Sequence, residues 1–163
     1  MSAKGDSMPN WCNNIVEITG PFPALAGFKE VLDRKMDLFE KFYPQPADVG
    51  DDWYEWRVSH WGTKWDIPHN ELDVNVLGTG KIVLSFSSAW APPTDAFNKI
   101  SGDFPELTFT CLFDEPGMCF EGKFVFEGGE TQEAIERDTT SNYFTEDGEE
   151  NEDYIELADR FND

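Results

Sequence analysis

The sequence predicts an α+β fold, an antiparallel sheet with two helices packed on one face. Three observations carry that expectation. Five short runs show strand-like alternation, two amphipathic segments at helical spacing are interleaved with them, and Gly- and Pro-containing turns mark the junctions.

Taken in order, residues 11–19 (WCNNIVEIT) carry β-branched residues in partial alternation and stop at Gly20-Pro21, a strand followed by a turn. Residues 23–36 (PALAGFKEVLDRKM) place Leu25, Phe28, Val31 and Leu32 at helical spacing, with Pro23 in the first turn, where its missing N–H costs nothing. Residues 39–70 are too long for a plain connection, since loops beyond about 12–15 residues usually carry structure or function of their own. This insert holds Tyr43, Trp53, Tyr54, Trp56, Trp61 and Trp65, which predicts short helical turns folded onto the body. Residues 71–78 (ELDVNVLG) and 81–88 (KIVLSFSS) alternate on either side of a Gly-containing turn and read as a hairpin. A second helix spans residues 92–101, with Phe97 and Ile100 three apart and Gly102 as a stop. Residues 107–113 and 118–127 are two further strands joined by Asp114-Glu115-Pro116-Gly117. In the second, Phe124 and Phe126 share one face and Val125 takes the other. The order contains βαββαβ, the ferredoxin-like split arrangement.

Beyond Gly128-Gly129 the composition shifts. From Glu127 to Asp163 there are fourteen acidic residues against Arg137 and Arg160, a net of −12, whereas the rest of the chain has nineteen acids and ten bases, a net of −9. The expected division is therefore an N-terminal extension at 1–7, a ferredoxin-like domain at 8–128 with its aromatic-rich insert at 39–70, and an acidic, partly helical C-terminal extension at 129–163. Residues 131–137 (TQEAIER) read as a short helix capped by Thr131. Residues 149–161 (EENEDYIELADRF) read as an amphipathic helix. Tyr154, Ile155, Leu157, Ala158 and Phe161 are set against Glu149, Glu152, Glu156 and Asp159.

Composition bounds the function. The chain has 163 residues, enough for one core, and 15% aromatic content is too high for a disordered chain. A net charge of −21 opposes direct binding of nucleic acid or anionic membrane, because both rest on Lys and Arg. No stretch reaches the roughly 20 apolar residues of a membrane span. The first seven residues lack the apolar core of a secretory signal, and three cysteines without a CxxC fit a reducing compartment. The expected location is the cytoplasm of a bacterial host cell.

Three motifs carry a family resemblance: Met8-Pro9-Asn10-Trp11-Cys12-Asn13-Asn14, Trp61-Gly62-Thr63-Lys64-Trp65-Asp66 and Ser88-Ala89-Trp90-Ala91-Pro92-Pro93. In that order, and with Phe120-Glu121-Gly122, they resemble the YubB-type ferredoxin-like family of plasmid and bacteriophage proteins over about residues 8–127. The resemblance implies a ferredoxin-like fold and an origin on a mobile element. It transfers no catalytic residue.

The candidate sites divide on their chemistry. Cys12, Cys111, Cys119, His60 and His69 lack the closely spaced ligand pairs of a zinc site, so the cysteines read as core residues and no metal or cofactor is expected. A Cys111–Cys119 disulfide would require strand register to set them opposite each other. In the Asn10–Asn14 segment Trp11 is expected to pack while the amides satisfy turn and edge backbone groups. Trp61, Trp65 and Trp90 would suit base stacking, but with Lys64 nearly alone beside them they read as packing. Ser59, His60 and Asp66 lack a nucleophile elbow, and no enzyme is expected.

The remaining signal is the acidic extension. Carboxylates three or four apart on a helix lie about 5–6 Å from one another, of the order of phosphate spacing along a DNA strand. The function expected is an anti-defence inhibitor from a phage or plasmid. It would block a basic nucleic-acid-handling host protein, such as a CRISPR effector or a restriction enzyme, by DNA mimicry. The residues expected to bind are Glu146, Asp147, Glu149, Glu150, Glu152, Asp153, Glu156 and Asp159. The alternative is a non-catalytic interaction module anchored by Trp53, Tyr54 and Trp56, with the acid conferring solubility.

Overall fold

A computed structural model describes residues 10–117 and 119–138. Six antiparallel strands form one sheet: β1 (Trp11–Thr19), β2 (Asp73–Leu77), β3 (Lys81–Ala89), β4 (Thr108–Glu115), β5 (Phe120–Glu127) and β6 (Glu130–Asp138). Their order is β2-β3-β1-β4-β5-β6. The first four in that order have the ferredoxin-like arrangement, and β5 and β6 extend the sheet beyond β4. The helices are α1 (Phe22–Leu32), α2 (Leu38–Phe42), α3 (Trp53–His60) and α4 (Thr94–Asp103), with single 3₁₀ turns at Gly50–Asp52 and His69–Glu71. The fold is therefore α+β, as the alternation predicts.

Register explains which residues form the core. Val16 pairs with Leu84 and Cys111, and Ile18 with Ile82 and Phe109, so even positions of β1 and their partners share one face. The buried cluster takes its strand residues from that face and its helical residues from Leu25, Phe28 and Leu32 of α1 and Phe97 and Ile100 of α4. Phe28 is a hub, stacked on Phe42 at 4.8 Å and edge-on to Phe104 at 5.2 Å and Phe109 at 5.6 Å. The insert is folded onto the body as expected. Trp61 is fully buried, and its indole N–H donates to the Tyr43 carbonyl at 2.8 Å. Helix α1 stops at Leu32, short of the expected 36. The buried Lys41 ammonium caps it by donating to the Leu32 carbonyl at 2.6 Å, and burial holds that lysine below its ordinary pKa.

One expected element is corrected. Residues 131–137 are not a helix but most of strand β6, paired with β5 from Glu127↔Glu130 to Phe120↔Asp138. Gly128 and Gly129 both have left-handed backbone, with φ of 62° and 81°, the two-residue hairpin conformation that matches sheet twist. A Gly-Gly pair between two extended runs was a hairpin signal, not a boundary, so the sheet continues past residue 129. Cys111 lies opposite Phe124 rather than Cys119, and the described cysteines are all free. The N-terminal extension at 1–7 and the helix expected at 149–161 lie outside the described residues.

Candidate functional site

The three sequence motifs meet at one end of the sheet. Trp11 opens β1 opposite Ala89, the last residue of β3. The Trp90 amide donates to the Asn10 carbonyl at 2.8 Å, and the Thr63 hydroxyl donates to the Ala89 carbonyl at 2.8 Å. The Ala96 amide donates to the Trp61 carbonyl at 3.2 Å, tying α4 to the insert. Asp66 closes the insert loop: its carboxylate accepts the amides of Phe39 at 2.7 Å, Glu40 at 3.0 Å and Ile67 at 2.7 Å. Burial pushes the Asp66 carboxyl up to about 6, against the opposing pull of those amides.

What this scaffold presents is aromatic. Trp11, Tyr54 and Trp90 are about half exposed, at 48%, 51% and 45%. Trp11 lies 6.2 Å from Trp65, and the Lys64 ammonium sits 4.8 Å from the Trp65 ring and 5.7 Å from Tyr54. Trp53 is 5.9 Å from Tyr54, and the Arg57 guanidinium stands 5.1 Å from Trp53 and 5.0 Å from Trp61. A groove of about 240 Å³ is lined by Tyr54, Val58, Lys64, Ala89 and Trp90. Trp90 has φ of 72°, the left-handed region that a bulky residue rarely occupies. The Ser88 hydroxyl, donating to the Ala91 carbonyl at 2.6 Å, holds this turn. A large ring is thus kept exposed at a backbone cost, a pattern that clusters at functional positions.

The predicted site residues separate accordingly. Trp53 and Tyr54 belong to the exposed surface. Trp56 does not: it stacks on His60 at 4.3 Å and packs edge-on to Trp61 at 5.6 Å, supporting the surface from beneath. Among the tryptophans expected to pack, Trp61 does and Trp90 does not. Trp11, also expected to pack, projects from the sheet face opposite the core. Asn14 behaves as expected, its amide donating to the Cys12 carbonyl at 3.0 Å and to Ser88 Oγ at 2.8 Å. Glu146, Asp147, Glu149, Glu150, Glu152, Asp153, Glu156 and Asp159 all lie outside the described residues.

The other constellations stay apart. Burial pushes the Cys12 thiol up to about 12 and raises Cys111 as well, which makes both inert. Among the described residues no group of three or more His, Cys, Asp or Glu is placed to hold a metal ion. Ser59 contacts His60 Nδ1 at 3.0 Å, but its hydroxyl also donates to the Glu55 carbonyl at 2.8 Å, and Asp66 is occupied by the amides of the insert. The sequence reading missed Val58 and assigned Trp11 and Trp90, with Lys64 beside the latter's group, to packing. The usable signal was period two, which sets Trp11 beside Asn13 and away from the buried Cys12 and Asn14.

Residues 60–158 match the model of the family described as the ferredoxin-like domain in Api92-like protein, well over half of the chain. The chain belongs to this family. The matched span begins at the end of α3 and takes in two of the three motifs that build the aromatic surface. The Api92-like architecture also appears in a solved structure, the protein api92 from Yersinia pseudotuberculosis. The two share 9% identity at a TM-score of 0.62, over 80% of this chain and 98% of that one. At that identity the likeness establishes the fold alone. A comparison with curated proteins finds no match.

Proposed function

We propose that this Api92-like protein is a non-catalytic binding module that seats a partner protein on the aromatic surface around Lys64. One observation carries the reading: the three motifs meet beside helix α3, where Trp11, Tyr54 and Trp90 are all exposed and Trp90 takes left-handed backbone. Half-exposed Trp and Tyr beside cationic side chains are the composition of interface hot spots. A partner with a basic surface is favoured, because −21 on this chain accelerates association with cations and repels nucleic acid. The likeness of the motifs to YubB-type plasmid and phage proteins supports placing that partner in a bacterial host, in the cytoplasm.

The second reading is an anti-defence inhibitor that blocks a CRISPR effector or restriction enzyme by DNA mimicry. What favours it is the net charge of −12 from Glu127 onward, which begins on the folded body with Glu130, Glu133 and Glu136 of β6. Capture of host proteins from lysate by wild type, by Tyr54→Ala/Trp90→Ala, and by a variant with Glu149, Glu152, Glu156 and Asp159 changed to Lys separates the two. The binding module predicts a partner retained in high salt, lost with the aromatic pair and kept by the charge-reversed chain. The mimic predicts the reverse on all three counts. A partner unaffected by the aromatic pair sinks the preferred reading. Truncation to test the extension must fall after residue 138, since cutting at Gly129 removes β6.

A further inference from the structure

The two edges of the sheet are unlike. Strand β6 carries Glu130, Glu133, Glu136 and Arg137 and has a register shift between Val125 and Phe126, charge and irregularity that discourage further pairing. Strand β2 carries a single charge, Asp73 at its first residue, and no irregularity. Its five residues, DVNVL, are all exposed and pair in regular register with β3 only, with no Lys, Pro or bulge. Val74, Val76 and Leu77 are exposed there, as is Phe22 on the neighbouring helix α1. An apolar groove of about 380 Å³ lies between α1 and this edge, lined by Phe22, Leu25, Ala26, Val76 and Ile82. Its charged lining is Lys29 and Lys81 against Glu30 and Asp33, a sum of zero on a chain that carries −21. With Asp73 of the strand itself the sum is −1, so a second copy approaching here meets little of the chain's like charge.

We propose that β2 pairs antiparallel with β2 of a second copy, joining two sheets across a two-fold axis at Asn75. In that register the two valines of each strand meet those of the other. Val74 faces the partner's Val76 on the helix-bearing side, and Asp73 faces the partner's Leu77 on the other. Both valines then extend the apolar row set by Leu84 and Ile82, their pairing partners on β3. Cross-strand pairs of β-branched residues are stabilising, and the paired edge satisfies the outward backbone N–H and C=O groups of both strands. The contact is isologous, so it closes at a dimer and does not propagate. Because the net charge outside the contact repels, the dimer strengthens as salt rises. That is the opposite of the salt dependence expected of binding through charge mimicry.

The test is sedimentation of the full chain from micromolar to sub-millimolar concentration, at about 0.05 and 0.5 M salt. It is joined to cysteine cross-linking in a Cys119→Ser background. A reversible dimer that tightens with salt is expected. Val76→Lys and, independently, Val74→Lys should weaken it at least about tenfold, since a charge on an open edge blocks pairing. Both positions are exposed, so folding survives and circular dichroism verifies it. Asn75→Cys, with its Cα about 4.5–5.5 Å from its counterpart, should form an intermolecular disulfide under mild oxidation. Glu130→Cys on the far edge should not. A monomer at every concentration overturns the proposal, including one whose β2 instead takes up a foreign extended peptide. So does a dimer indifferent to the two lysine variants, or cross-linking no better at 75 than at 130.

Discussion

Under the proposed binding role, Trp90 sets stability apart from binding at a single residue. Its left-handed backbone costs a non-glycine residue about 1 kcal/mol or more, while its ring is about half exposed. Trp90→Gly relieves that strain and gives up the buried half of the ring, two opposed contributions, so it should move stability by no more than about 2 kcal/mol in denaturant unfolding while abolishing partner binding. A larger loss would mean that the ring packs more than its exposure implies. Gly122 is the converse case. A Cβ there would strike the Ile135 carbonyl oxygen and come within 2.5 Å of the Phe113 ring. Gly122→Ala should cost at least about 2 kcal/mol, read by the same measurement. Nothing local in the sequence announces that Trp90 takes φ above zero, because turn signals come from Gly and Asn. The crowding at Gly122 is likewise invisible until β5 and β6 are paired.

Among elements, the strands and helices up to Glu127 were legible because alternation and helical spacing coincide with burial. Ile82, Leu84 and Phe86 alternate in the chain and are buried in the fold. Strand β6 was not legible from its own composition. TQEAIER has helix formers and a good capping residue, yet the outer edge of β5 offers a ladder of backbone partners and Gly128-Gly129 turns the chain back onto it. Tertiary pairing overrode local propensity. The hairpin should therefore depend on those two glycines. Replacing each with Val would force a β-branched residue into left-handed backbone at about 1–2 kcal/mol apiece, and at Gly129 it would also press on Gly102, whose Cα would lie 3.4 Å from the added Cβ. Hydrogen exchange should then show β6 amides losing protection while β1 and β3 keep theirs. Equal loss across the sheet would mean that β6 unfolds only with the whole domain. Tertiary placement also explains why the aromatic surface was half legible. The insert's richness in Trp pointed to it, but only the meeting of β1, β3 and the insert decides which rings are outside.

At the scale of the molecule, charge and burial act in one direction. Asp66, Asp95, Asp114 and Glu121 all have carboxyl groups raised above their ordinary values, chiefly by desolvation. A carboxyl raised in the folded state holds its proton more tightly there than in the unfolded chain. Its contribution to stability is then complete below the ordinary carboxylate range, near pH 4, and is lost as pH rises through the folded value, about 6 for Asp66. Self-repulsion of a chain at −21 adds to the loss, since the compact state crowds its charges. Melting temperature should accordingly rise as pH is lowered from 8 toward 5, stopping short of the poorly soluble region around the pI of about 4.2. Added salt should raise it at pH 8 and do much less at pH 5, where fewer charges remain to be screened. Asp66→Asn should flatten the part of the profile centred near pH 6, because the amide cannot titrate, leaving the salt response at pH 8 in place. A wild-type profile that falls on acidification from pH 8 to 5 would show that the buried carboxylates gain more from their hydrogen bonds than they lose to burial. The three amides on Asp66 would then be the dominant influence rather than the opposing one.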